Sequence, residues 1–96
     1  MYHFKKSLPD LVWEKGLPIP GKDPAVFRRD NWGTEMKKTD LDNEQSLYGW
    51  CLHHIIPAWE GGKKEPDNLE PLAMHNEVAS LRNNLAPWKD DWEFWD

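Results

Sequence analysis

WCLHHIIPAWEGGKKEPDNLEPLAMHNEVASLRNN, residues Trp50 to Asn84, is the stretch whose reading decides the fold. Trp50, Cys51, Leu52 and His53 alternate as a strand, with Cys51 and His53 on one face and Trp50 and Leu52 on the other. The adjacent pair His53-His54 ends that strand, Ile55-Ile56-Pro57 leaves it, and Gly61-Gly62 turns the chain into the polar loop KKEPDN. Asn68-Leu69 opens a second apolar run in which Leu69 and Leu72 flank Pro71, so Pro71 belongs at a sheet edge or a strand end. Met74, Val78, Leu81 and Leu85 then recur at i, i+4, i+7 and i+11, an apolar stripe that predicts a helix closing over the hairpin. Asn83-Asn84 and Pro87 end that helix. The predicted unit is strand, loop, strand, helix. Two histidines at a strand end, an asparagine able to tie the loop and a polar helix face form a cradle for one divalent metal and one general base.

Upstream, Tyr2 and Phe4 alternate with polar neighbours, and Pro9 is expected to stop any helix in the lead-in from Met1 to Asp10. Leu11-Val12-Trp13 is a short apolar anchor, and LPIPGK from Leu17 to Lys22 reads as an extended loop. Asp23-Pro24 has the form of an N-cap followed by proline, which predicts a helix of about two turns ending near Asp30. Trp32 to Met36 reads as a strand in which Gly33 lets another element approach closely, and Lys37 to Ser46 reads as a polar loop.

Ninety-six residues bound the chain to one small α+β domain, 1–96, with a core motif at 50–84 and an acidic, Trp-rich tail at 87–96. Seven tryptophans compensate for a short chain interrupted by eight prolines. Trp88, Trp92, Phe94 and Trp95 are expected to fold back over the core or to present a patch to a protein partner. The single cysteine, Cys51, excludes an intramolecular disulfide and a paired-cysteine zinc knuckle. MYHFKKSLPD has no continuous apolar segment and no run approaches the roughly 20 residues that span a bilayer, so a cytoplasmic protein without membrane contact is expected. The net charge of −5 opposes nucleic-acid binding, but four of the acids lie in the last eight residues. Eight of the twelve cations occur as doublets, Lys5-Lys6, Arg28-Arg29, Lys37-Lys38 and Lys63-Lys64.

HHIIP, the glycine pair, DNLEPL and a following helix resemble the motif of the His-Asn-His (HNH) endonucleases on their ββα-metal finger. VWEKGLPIPGKDPAVFRRDNWG followed by YGW is similar to the leading segment of small bacterial and phage members, so the resemblance runs from Val12 to Asn84. It implies a hairpin plus helix, with an N-terminal loop, short helix and strand packed against it. In this resemblance His54 matches the general base, suited to the task because a neutral imidazole takes a proton from water near neutral pH. His53 matches a metal-ligand position more often held by Asp, and imidazole there shifts preference from Mg²⁺ toward Zn²⁺, Ni²⁺ or Mn²⁺. Asn68 matches the middle residue, whose amide bonds loop backbone and keeps the base in register.

The third position, His or Asn in the family, is Glu77 here, a competent ligand that adds negative charge beside a phosphate. His75 is the alternative ligand. At about 100° per residue the two project about 200° apart, so both cannot face the hairpin. Arg28, Arg29, Lys63, Lys64 and Arg82 are candidates for phosphate contacts that position a strand without reading its sequence. The resemblance thus implies a metal-dependent DNA endonuclease with one divalent ion, acting on double-stranded DNA with little intrinsic sequence preference. The alternative is a catalytically degenerate HNH fold that works as a binding module through its acidic tail.

Overall fold

The hydroxyl of Ser7 accepts a hydrogen bond from the amide of Asp10 and caps helix α1, Leu8–Trp13, whose first turn contains Pro9. The expectation that Pro9 stops a helix is corrected here: at the first turn its missing N–H has no intrahelical partner to lose, and its fixed φ favours the helix. The computed structural model describes residues 6–77. Within them the chain is a small mixed α/β fold with two antiparallel sheets and little helix.

Three short strands, β1 (Leu17–Pro18), β2 (Phe27–Arg29) and β3 (Glu35–Lys37), form the first sheet in the order β1-β2-β3. Leu17 pairs with Arg29, and Arg28 with Met36. Strand β2 occupies part of the segment predicted as a helix from Asp23 to Asp30, which is a second correction. The Asp23-Pro24 signal is real but local: the Asp23 carboxylate accepts the Ala25 amide at 2.9 Å, and the amides of Val26 and Phe27 bond the Asp23 carbonyl. That turn does not propagate because pairing with β1 and β3 on both sides satisfies the next residues as a central strand. Gly33 also serves differently from the expectation. Its φ is +87° and a Cβ there would meet nothing within 4 Å, so the residue supplies a left-handed turn rather than a close approach. The strand starts after it, at Glu35.

The second sheet pairs β4 (Trp50–His54) with β5 (Leu69–Ala73), in the register Trp50 to Ala73 through His54 to Leu69. Flanking bonds from the Ile55 amide to the Asn68 carbonyl and from the Met74 amide to the Gly49 carbonyl fix which residues face the partner strand. Even-numbered residues of β5 carry the ladder bonds, so Pro71 stands opposite Leu52 at a position whose nitrogen points away from β4. The outer edge of β5 is itself covered: the Lys15 ammonium donates to the Leu69 carbonyl at 2.9 Å and the Asp30 carboxylate accepts the Ala73 amide at 3.0 Å.

Val12, Trp13, Met36, Trp50, Leu69 and Ala73 form the core between α1, β3 and the β4–β5 hairpin. The rings of Trp13 and Trp50 lie 5.0 Å apart at an interplanar angle of 51°. Each indole N–H is satisfied, Trp13 by the Pro24 carbonyl at 2.8 Å and Trp50 by that of Lys38 at 3.1 Å. After β5 the backbone turns into helix at residues 74–77. Of the predicted apolar stripe only Met74 is described; Val78, Leu81, Leu85 and the tail at 87–96 lie outside the described residues. No helix among the described residues is long and apolar enough to cross a membrane.

Candidate active site

Strand β4 delivers the two histidines in different settings because adjacent strand residues point to opposite faces. His53 is buried and stands opposite Glu70, whereas His54 is half-buried at the strand end opposite Leu69. His54, Asp42, Cys51, Leu52, Lys64 and Glu77 line a cavity of about 280 Å³. A second cavity, about 340 Å³, lies against α1, but its charges engage each other, Lys6 with Glu14 at 2.8 Å and Lys38 with Asp10 at 3.0 Å. The smaller cavity sets the His54 imidazole among the Asp42 and Glu77 carboxylates.

The loop between β4 and β5 is held by Asn68. Its side-chain oxygen accepts the Ile56 amide at 2.8 Å, and its amide nitrogen donates to the carbonyls of Ile56 and Lys63, each at 3.0 Å. Gly62 allows this closure, since a Cβ there would sit 1.7 Å from the Ile56 carbonyl oxygen and 2.8 Å from the Asn68 amide. The Lys15 ammonium also donates to the Pro66 carbonyl, tying the loop to the end of α1. Truncation of Asn68 to alanine removes three bonds to one exposed loop and is expected to lower stability by about 1–2 kcal/mol. Urea unfolding followed by tryptophan fluorescence measures it; an unchanged midpoint would mean that the loop holds itself.

Glu77, in the helical segment after β5, is half-buried and its carboxylate accepts a hydrogen bond from the Cys51 thiol. The same sulfur lies 3.5 Å from the Leu72 carbonyl oxygen. Burial pushes the Cys51 thiol well above its ordinary range, and the Glu77 and Asp42 carboxylates push it further, so the thiol stays protonated at neutral pH. His75 is exposed.

The basic candidates divide. Arg28 directs Nε to the Pro24 carbonyl at 3.0 Å and Nη1 to the carbonyls of Glu14 and Gly16 at 3.3 and 2.9 Å, so its guanidinium braces the α1–β1 and β1–β2 connections. Arg29 and Lys63 are exposed, and Lys64 is exposed at the rim of the His54 cavity. Arg82 lies outside the described residues.

Two residues at or beside the cavity escaped the sequence reading. Asp42 lines it from the connection before β4, where it adopts a φ of +58° and its amide donates to the Trp50 carbonyl at 2.7 Å. Asp30 is 1% exposed and anchors the start of the helix that carries Glu77. A turn at Asp30 is legible, because Asp at the first and Gly at the fourth position of Asp30-Asn31-Trp32-Gly33 favour a type I turn. Its partners at Ala73 and Asn76 are not.

A divalent cation is chemically compatible with the oxygen and nitrogen donors at the cavity, which suit divalent ions from Mg²⁺ to Zn²⁺. Among the described residues, however, no three His, Cys, Asp or Glu side chains are grouped to hold a metal ion. No family model, no curated protein and no solved structure matches this chain.

Proposed function

We propose that this chain is a small HNH-type endonuclease that hydrolyses phosphodiester bonds in double-stranded DNA, using His54 as general base. The observation that carries the reading is the meeting of His54 and Glu77 at one cavity, from opposite ends of a hairpin whose loop Asn68 holds. Strand β4, the tied loop, β5 and the helical turn at 74–77 also follow the order that a ββα-metal finger requires. In this mechanism neutral His54 takes the proton of an attacking water, and Lys64 at the rim steadies a phosphate oxygen. Asn68 keeps His54 in place by fixing the segment that follows it. Glu77 and His53 would hold a divalent ion, which when bound stabilises charge developing on the phosphate.

Supercoiled plasmid incubated with the protein across Mg²⁺, Mn²⁺, Ni²⁺ and Zn²⁺, with and without chelator, tests this. Nicking or linearisation that chelator abolishes is the expected result. The degenerate binding module is favoured by a different observation, the net charge of −5 together with a Glu77 carboxylate already engaged by Cys51. Fluorescence anisotropy with a short duplex separates the two. The nuclease is expected to bind with an affinity that falls steeply as salt rises, and affinity undetectable at low salt with metal present would favour the binding module.

A further inference from the structure

Asp30 divides its carboxylate between two tasks. Oδ1 accepts the amides of Trp32 and Thr34 at 3.0 and 2.9 Å and so closes the turn between β2 and β3. Oδ2 accepts the Ala73 amide at 3.0 Å and the Asn76 side-chain amide at 2.8 Å, at the point where β5 becomes helix. Asn76 also donates to the Thr34 hydroxyl at 2.8 Å, so the first helical turn is tied to the β2–β3 turn through two acceptors. Ala73 has no polar side chain with which to fix this junction, and its amide faces away from β4. The buried carboxylate fills that role. Burying a carboxylate is otherwise unfavourable, and here four N–H donors offset it.

Glu77 is the residue after Asn76. We propose that Asp30 and Asn76 are positioning residues that fix the first helical turn so that the Glu77 carboxylate sits at the His54 cavity against Cys51. The consequence for cleavage rests on the nuclease reading, but the placement of Glu77 does not. A carboxylate is required at position 30 for both halves to be satisfied. In Asp30→Asn the side-chain oxygen can still close the β2–β3 turn, but the amide then opposes two donors, Ala73 N–H and the Asn76 amide, and the helix side is released.

Cys51 reports on this directly, being the sole cysteine and hydrogen-bonded to Glu77. Release of Glu77 breaks that hydrogen bond and takes the carboxylate from beside the sulfur, so a reagent reaches Cys51 more readily. The experiment measures the rate at which an aromatic disulfide reagent modifies Cys51 in the wild type, Asn76→Ala, Asp30→Asn, Glu77→Ala and the Asn76→Ala/Glu77→Ala double variant. Circular dichroism and thermal midpoints accompany each. Asn76→Ala is expected to keep a native spectrum and to accelerate modification by about tenfold. In the Glu77→Ala background the same change is expected to add nothing, because the coupling runs through Glu77. An unchanged rate in folded Asn76→Ala overturns the proposal, and so does equal acceleration in both backgrounds, which would mark general loosening. Should Asp30→Asn fail to fold, Asn76→Ala still decides, since it leaves the Asp30 bonds to three backbone amides intact. Ni²⁺ titration of the wild type and Asn76→Ala is expected to show about tenfold weaker binding in the variant. A wild type that neither binds Ni²⁺ nor cuts plasmid would sink the nuclease reading alone, while the thiol rates would still judge the positioning role.

Discussion

Replacing His54 with alanine is expected to reduce plasmid cleavage by about 10²–10⁴-fold, the range for loss of a general base. Metal binding and the fold should survive. His54 sits at the last residue of β4, half-buried, with Leu69 opposite, so truncation opens the end of the cavity rather than the core of Trp13, Trp50 and Leu69. The backbone that follows is fixed independently: the Ile55 amide bonds the Asn68 carbonyl at 2.8 Å and the Ile56 amide bonds the Asn68 side chain. Loss of activity in this variant would therefore reflect missing proton transfer, not a displaced loop. Calorimetric titration with Ni²⁺ or Zn²⁺ beside a nicking assay makes the measurement. Loss of metal binding in His54→Ala would exchange the assigned roles of the two histidines, and retention of full cleavage would remove the general base from the mechanism.

The hairpin at the centre of the site was legible because its signals are local. Alternation of Trp50 and Leu52 against Cys51 and His53 fixes the faces of β4, and the glycine pair with Pro66-Asp67-Asn68 marks the return. The tie between the Asn68 amide and the loop backbone was implied by the resemblance, and the side chain does bond Ile56 and Lys63. Asp23-Pro24 shows the limit of such signals, since an N-cap and a turn start alike and only pairing with β1 and β3 decides between them. Pro9 shows the same ambiguity in reverse, as it is a breaker inside a helix and a favoured residue in its first turn.

What was illegible is long-range. Arg28 reads in sequence as half of a basic doublet, yet its guanidinium lies across the carbonyls of Glu14, Gly16 and Pro24, a use that depends on the pairing of β1 with β2. Asp30 stands in the sequence reading as the end of a predicted helix, and nothing local announces that its second oxygen holds a helix more than forty residues away. Asp42 reads as one acid in a polar loop until the chain returns along Trp50 and sets it beside His54 and Glu77. In each case a polar side chain is given its role by the element it meets after folding, and the sequence pattern records only where it starts.

Glu77 is the position at which substitution discriminates most sharply. Its carboxylate is half-buried and shares the cavity with His54, whereas His75, two residues earlier, is exposed. Glu77→Ala is therefore expected to weaken metal affinity beyond the ~10–100-fold loss typical of residues that only support a ligand, and to remove cleavage with it. Glu77→His should keep or raise activity with Zn²⁺ or Ni²⁺, because imidazole suits those ions and brings no negative charge toward the phosphate. His75→Ala should change neither property. Cys51 separates a local effect from a structural one: in Glu77→Ala the thiol loses a hydrogen bond and an adjacent negative charge, so its pKa should fall toward the ordinary thiol range while the fold persists. If His75→Ala instead lost the metal and Glu77→Ala were tolerated, the ligand would be the exposed histidine and the helix would have to rotate to use it. If both variants bound metal as the wild type does, the third ligand position would be without function. The acidic chain would then be better described as a binding module than as a nuclease.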